Sequence, residues 1–170
     1  EALRAHGVSC AFGVVSVHNL PLVDALDRDL RWVPTRTEAA AVNAADGYAR
    51  ATDGLGCAVT STGTGAGNAA GALVEALTAG SSVLHVTGQV DEQYLGSDRG
   101  VIHEFSGQRS MLDAVSARAW TVGSDADADG ASVLPEAIRC ALQGTPTRGP
   151  VSVEWPIDLQ FADASSYARR

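Results

Sequence analysis

The 170-residue chain contains no lysine, and all 12 of its cations are arginines. This absence removes a Schiff-base lysine, a lysine general base and the lysine of a G-x-x-x-x-G-K-[ST] phosphate loop. Only three cysteines occur (Cys10, Cys57 and Cys140), widely spaced and without a C-x-x-C pair. They exclude a zinc knuckle and a disulfide framework and point to a reducing cytoplasm. The four histidines lack ligand spacing: His103-Glu104 begins an H-E-x-x-H pattern, but Gly107 stands where its second histidine belongs. No metal site is read from the sequence. No apolar run approaches the roughly 18 residues that cross a bilayer, and no signal peptide is visible. Acidic side chains outnumber basic ones for a net charge of −8, and no arginine cluster offsets it. Nucleic acid and anionic membranes are therefore poor partners. No G-x-S-x-G elbow supports serine hydrolysis.

What is present is 45% hydrophobic residues, enough at this length for one domain with a full core. Residues 1–170 read as that domain, opening at Glu1 inside a helix in the manner of a piece of something longer. Short apolar runs alternate with Ala-rich helical stretches, the rhythm of a parallel sheet with crossover helices. Strands are expected at Val8–Val14, Arg31–Pro34, Cys57–Thr60, Val83–Thr87, Ala117–Val122 and Val151–Trp155. Helices are expected at Leu20–Asp29, Thr37–Ala51, Asn68–Ala79 and Leu134–Gln143. An acidic surface turn is expected at Asp125, Asp127 and Asp129. The fold class is α/β, three layers with about six parallel strands and helices on both faces. Residues 88–107 are polar, carry four glycines and read as a functional loop.

Three groups of residues could carry chemistry. Gly65-Ala-Gly67-Asn-Ala-Ala70 satisfies G-x-G-x-x-[GA] between a strand and a helix, as a dinucleotide site requires. On these residues alone a tight turn that permits close packing is the favoured reading. Thr35-Arg-Thr-Glu38 reads as a capping box with Glu38 at the third helical position. The same Glu38, followed by three alanines and Val42, also suits a carboxyl with little water around it that exchanges a proton near neutrality. His18, after the first strand, reads as part of a turn or as a pocket edge, and His103 in the polar loop as a solvated residue or a polar contact to a ligand. A non-catalytic nucleotide-binding or regulatory Rossmann-like module accommodates the Gly-rich turn as well as an enzyme does.

The order of these signals is more specific than any one of them. Arg36-Thr-Glu38 through Asp46-Gly-Tyr-Ala-Arg50 is followed by Val59-Thr-Ser-Thr-Gly-Thr-Gly-Ala-Gly-Asn68 and Val86-Thr-Gly-Gln89. Ile102-His-Glu104, Gln108 and Gly149-Pro-Val-Ser-Val-Glu-Trp-Pro-Ile-Asp158-Leu-Gln160 come next. Over almost its whole length the chain resembles the pyrimidine-binding domain of thiamine-diphosphate enzymes, in the acetolactate synthase and 2-oxo-acid decarboxylase branch. The resemblance implies that Glu38 hydrogen-bonds ring nitrogen N1′ of the cofactor's aminopyrimidine. It implies that Gly63, Thr64, Gly65 and Asn68 line that ring, with His18 and His103 on the substrate side. The family pattern departs at Thr37, where many relatives have histidine, and at Thr64, where proline is usual. The family's Gly-Asp-Gly motif for the diphosphate and Mg2+ is missing. The resemblance therefore implies half an active site that is inactive alone. It also implies a homodimer of pyrimidine domains, a diphosphate-binding domain on the same or a second chain, and a 2-oxo acid substrate.

Overall fold

The computed structural model describes residues 1–123, 130–144 and 148–161. Six strands, β1 (Cys10–Gly13), β2 (Arg31–Pro34), β3 (Gly56–Thr60), β4 (Val83–Gln89), β5 (Arg118–Thr121) and β6 (Val151–Pro156), form one sheet ordered β2-β1-β3-β4-β6-β5. Every neighbouring pair is parallel. The helices are α1 (Ala2–Ala5), α2 (Leu20–Asp29), α3 (Glu38–Thr52), α4 (Thr64–Ala79), α5 (Gln108–Val115), α6 (Gly130–Gln143) and α7 (Ile157–Gln160).

Successive strand residues face opposite sides of a sheet, and here both sides are covered. Cys57, Val59, Leu84 and Val86 enter a core closed by α1, α2 and α6. Ala58, Val83 and Ala119 enter a second core closed by α3, α4 and α5. The second core is built from alanines, among them Ala41, Ala45, Ala69, Ala72 and Ala76, so α3 and α4 lie close to the sheet and to each other. At Gly56 an added Cβ would stand 2.0 Å from the Ala45 carbonyl oxygen. This strand start is reserved for glycine by the helix above it.

The expected three-layer parallel architecture is present, with several boundaries moved. α4 begins at Thr64 rather than Asn68, so most of the Gly-rich stretch is the first turn of the helix. Gly63, at φ +56°, makes the bend, and Gly80, at φ +67°, ends the helix as expected. α6 begins at Gly130, four residues before Leu134, and carries Pro135 inside it. Between the expected loop at residues 88–107 and the expected strand at Ala117, where no element is expected, lies α5, whose Leu112 is fully buried beneath α4. Its eight residues are too few for a clear helical period in sequence. The acidic turn at Asp125, Asp127 and Asp129 lies outside the described residues.

The capping box needs a correction. The N-cap of α3 is Thr37, whose Oγ1 accepts from the Ala40 amide at 3.2 Å, while Thr35 donates to the Thr37 carbonyl at 3.0 Å. Glu38 is thus the first helical residue, not the third. Its carboxylate is free of the cap.

Candidate functional site

Connections leave β1 toward β2 on one side, and from β3 onward run toward β4 on the other. The carboxyl ends of β1 and β3 therefore flank the switch point at which open α/β sheets hold ligands. Asn19, fully buried, ties this crevice: its Nδ2 donates to the Val14 and Thr60 carbonyls, both at 2.9 Å, and its Oδ1 accepts from the Ser16 amide at 2.8 Å.

The residues singled out in sequence form a continuous arc around this point. Glu38, half-buried at the start of α3, accepts through Oε2 from Asn68 Nδ2 at 3.2 Å. A Cβ at Gly65 would lie 3.1 Å from Glu38 Oε1 and 2.7 Å from Ser61 Cβ, so glycine is what lets Ser61 and the Glu38 carboxylate pack against this turn. Thr64 Oγ1 stands 3.3 Å from His103 Nδ1. Gly63 meets His103 backbone to backbone, since an added Cβ would be 2.1 Å from the His103 carbonyl oxygen. His103 itself sits at φ +65°, a conformation that costs a non-glycine residue roughly 1 kcal/mol or more. The His18 and His103 rings meet edge to face at 5.9 Å. His18 is 6% exposed and its Nδ1 has no partner. Burial, then the neighbouring His103, holds its imidazole below the ordinary value, against an opposing pull from Asp91.

The Gly-rich turn is not an open amide cradle. The Gly63 amide donates to Gln108 Oε1 at 2.5 Å, and the Gly65 amide to the Thr62 carbonyl at 3.0 Å. Two of the donors that a pyrophosphate would take at this helix start are engaged within the chain.

Behind the arc lies a buried polar network that sequence reasoning missed. Glu154 is 1% exposed in the middle of β6. Its Oε1 accepts from Gln89 Nε2 at 3.1 Å and Gln108 Nε2 at 2.8 Å, and its Oε2 from Thr121 Oγ1 at 2.6 Å. Burial pushes its carboxyl above the ordinary value, although Thr121, Gln108, Gln89 and Arg109 pull the other way. Glu154, Thr121 and Gln89 also border a cavity of about 170 Å³ shared with Glu104 and Arg109. The one sequence signal was a lone carboxylate inside the apolar run Val151-Ser-Val-Glu-Trp155, because a charge in a covered strand demands partners. Among the described residues no group of three His, Cys, Asp or Glu side chains is placed to hold a metal ion.

Residues 1–114 match the family model for the thiamine pyrophosphate enzyme, N-terminal TPP binding domain. The chain is 34% identical over 163 residues to a probable acetolactate synthase large subunit of Methanocaldococcus jannaschii, covering 94% of this chain and 26% of that protein. It is 35% identical over 163 residues to the acetolactate synthase isozyme 2 large subunit of Escherichia coli, covering 95% and 28%. It is 36% identical over 160 residues to 2-hydroxyacyl-CoA lyase 2 of Mus musculus, covering 94% and 24%. The chain thus spans about a quarter of the length of these relatives. On these matches, together with its fold, the chain belongs to the thiamine pyrophosphate enzyme family and carries the family's N-terminal cofactor-binding domain.

Proposed function

We propose that this chain forms the pyrimidine-binding half of the active site of an acetolactate-synthase-like enzyme acting on a 2-oxo acid, as decarboxylase or carboligase. The observation that carries the reading is the Glu38 carboxylate, outside the cap of its own helix and held by Asn68 against the first turn of α4. In this reading the cofactor's aminopyrimidine lies against that carboxylate. Glu38 then presents a proton to ring nitrogen N1′, Gly63, Thr64 and Gly65 border the ring, and Asn68 holds the carboxylate's second oxygen in place. When bound, thiamine diphosphate supplies a carbon nucleophile for the carbonyl of the 2-oxo acid, so this chain's own residues need only orient it and hold or move one proton. His18 and His103 stand on the substrate side in this reading, with the buried His18 Nδ1 left without a partner between them and the sheet.

The diphosphate and Mg2+ are assigned to a separate domain on the same or a second chain. The 170-residue chain alone is expected to be inactive and to bind the cofactor weakly. Tight, Mg2+-dependent binding of thiamine diphosphate by that chain in a calorimetric titration would overturn this expectation. A cytoplasmic location fits the three buried cysteine thiols. The central test is Glu38→Gln in the intact enzyme: loss of this proton contact should lower turnover by about 10²–10⁴-fold. Unchanged turnover would remove Glu38 from the chemistry and the proposal with it.

A further inference from the structure

Gln108, the first residue of α5, is fully buried, and both ends of its amide are used. Oε1 accepts from the Gly63 amide at 2.5 Å and from Thr62 Oγ1 at 3.0 Å. Nε2 donates to the Gly88 carbonyl at 3.2 Å and to Glu154 Oε1 at 2.8 Å. One side chain thus joins the bend before α4, the end of β4, the middle of β6 and the start of α5. Only one orientation works. A flipped amide would point its NH2 at the Gly63 N–H and its oxygen at a carbonyl and a carboxylate, leaving three buried groups opposed, with only the Thr62 hydroxyl able to adapt. Glu154, held by Gln89 and Thr121, makes that choice.

The consequence reaches the site. Gln108 pins the Gly63 amide directly, and it also ends the 101–107 segment whose His103 rests against Gly63. His103 is in a left-handed conformation that persists only where its surroundings over-determine it.

We propose that Gln108 is a positioning residue for the candidate site, setting the Gly63 bend and the place of His103, with Glu154 fixing the direction of its amide. What the ordered bend binds rests on the function proposed above; the ordering itself does not.

Two variants of the intact protein test this by amide hydrogen exchange, corrected for the intrinsic pH dependence. Gln108→Met keeps the length and removes all four hydrogen bonds. Exchange at residues 63–65 and 101–105 should rise at least about 10-fold, while the inner residues of β3 and β4 keep their protection. Gln108→Glu keeps the acceptors, loses the donors and sets a second carboxyl against Glu154, with Arg109 the nearest cation on α5. Two carboxyls at hydrogen-bond distance share a proton only at lower pH. Protection of the bend should therefore approach that of the unaltered protein in acid and fall as pH rises, a profile absent from the unaltered protein and from Gln108→Met. A uniform loss of protection across all strands with no such profile, or no change in either variant, would overturn the proposal. A thiamine diphosphate titration of the same variants separates the two readings. Lost order with unchanged affinity would leave Gln108 as positioner and refute the cofactor placement. Lost affinity with undisturbed exchange would do the reverse.

Discussion

His85 lies in the middle of the sheet, fully buried, with Nε2 2.9 Å from Thr60 Oγ1 and Nδ1 3.0 Å from Ser152 Oγ, which continues to Ser116 Oγ at 2.7 Å. Burial takes its imidazole from 6.5 down to about 4. Between those values the unfolded chain binds the proton and the folded chain refuses it, so this group's contribution to stability falls as pH falls through the window. The full effect is up to about 3 kcal/mol. Glu154 works in the opposite sense: its raised carboxyl keeps a proton in the folded chain, and its contribution is lost as pH rises above the ordinary carboxyl range. The informative measurement is the difference between the unaltered chain and His85→Gln in urea unfolding. Their stabilities should converge as pH drops from 7 to 4.5; parallel curves would mean that His85 is not held neutral. Gly63 is the second single-residue test. Gly63→Ala combines φ +56° with a Cβ 2.1 Å from the His103 carbonyl oxygen, so the 101–107 segment must move. A stability cost of roughly 1–3 kcal/mol is expected in thermal unfolding. Cys57, fully buried with its thiol pushed up to about 12, should resist thiol reagents until the chain unfolds.

At the scale of the element, α3 has two ends with different work. Its N-terminus is closed by Thr37, which frees Glu38 for Asn68 and the site. Toward its C-terminus Arg50 holds Asp46 with two bonds, 2.8 Å from Nε and 2.7 Å from Nη2, and its Nε also reaches Ser81 Oγ at 3.1 Å, just before β4. Hydrogen bonds from Arg50 and Ser81 outweigh burial and keep the Asp46 carboxyl low. Tyr48 adds a hydrogen bond between its hydroxyl and Ser9 Oγ at 3.0 Å and an edge contact with Phe12. The stretch from Glu38 through Asp46-Gly-Tyr-Ala-Arg50 is the most specific part of the family resemblance. Its aspartate and arginine clamp a helix to the sheet, and Glu38 alone of that stretch faces the site. Thr37→Ala should cost about 1 kcal/mol of stability through the lost cap. If it also lowers the activity of the intact enzyme, the loss should be far smaller than that of Glu38→Gln.

For the whole molecule, the outer face of the α3–α4 pair carries very small side chains. Cβ atoms added at Gly47, Gly67 and Gly71 would meet nothing within 4 Å, and Val74 beside them is 47% exposed. Such a face admits close approach of a second backbone, and we propose it as the seam of the homodimer that the family resemblance implies. Gly71→Arg has room on the isolated chain, so it should leave the fold intact in circular dichroism and shift sedimentation toward monomer. Sedimentation as a 17.5 kDa monomer at high concentration by the unaltered chain would count against pairing through this face. Val17 at 78% and Ile102 at 71% are exposed next to His18 and His103 in the chain.

The sequence by itself determined the layers. Apolar runs of strand length between Ala-rich helices specify a parallel sheet covered on both faces, because only that arrangement buries both. The Gly-x-Gly stretch and the glutamate after Thr37 marked two segments of the site for the same local reason: each breaks or opens a helix with residues chosen for backbone geometry. The tertiary structure decided which of two threonines caps α3, and so whether Glu38 is a cap or a free carboxylate. It also decided that Gln108 and Glu154, 46 residues apart, meet behind the Gly63 bend. Neither fact has a local signal. A cap depends on where the preceding strand releases the chain, and a buried amide network exists only once four separated segments have been brought together by the sheet.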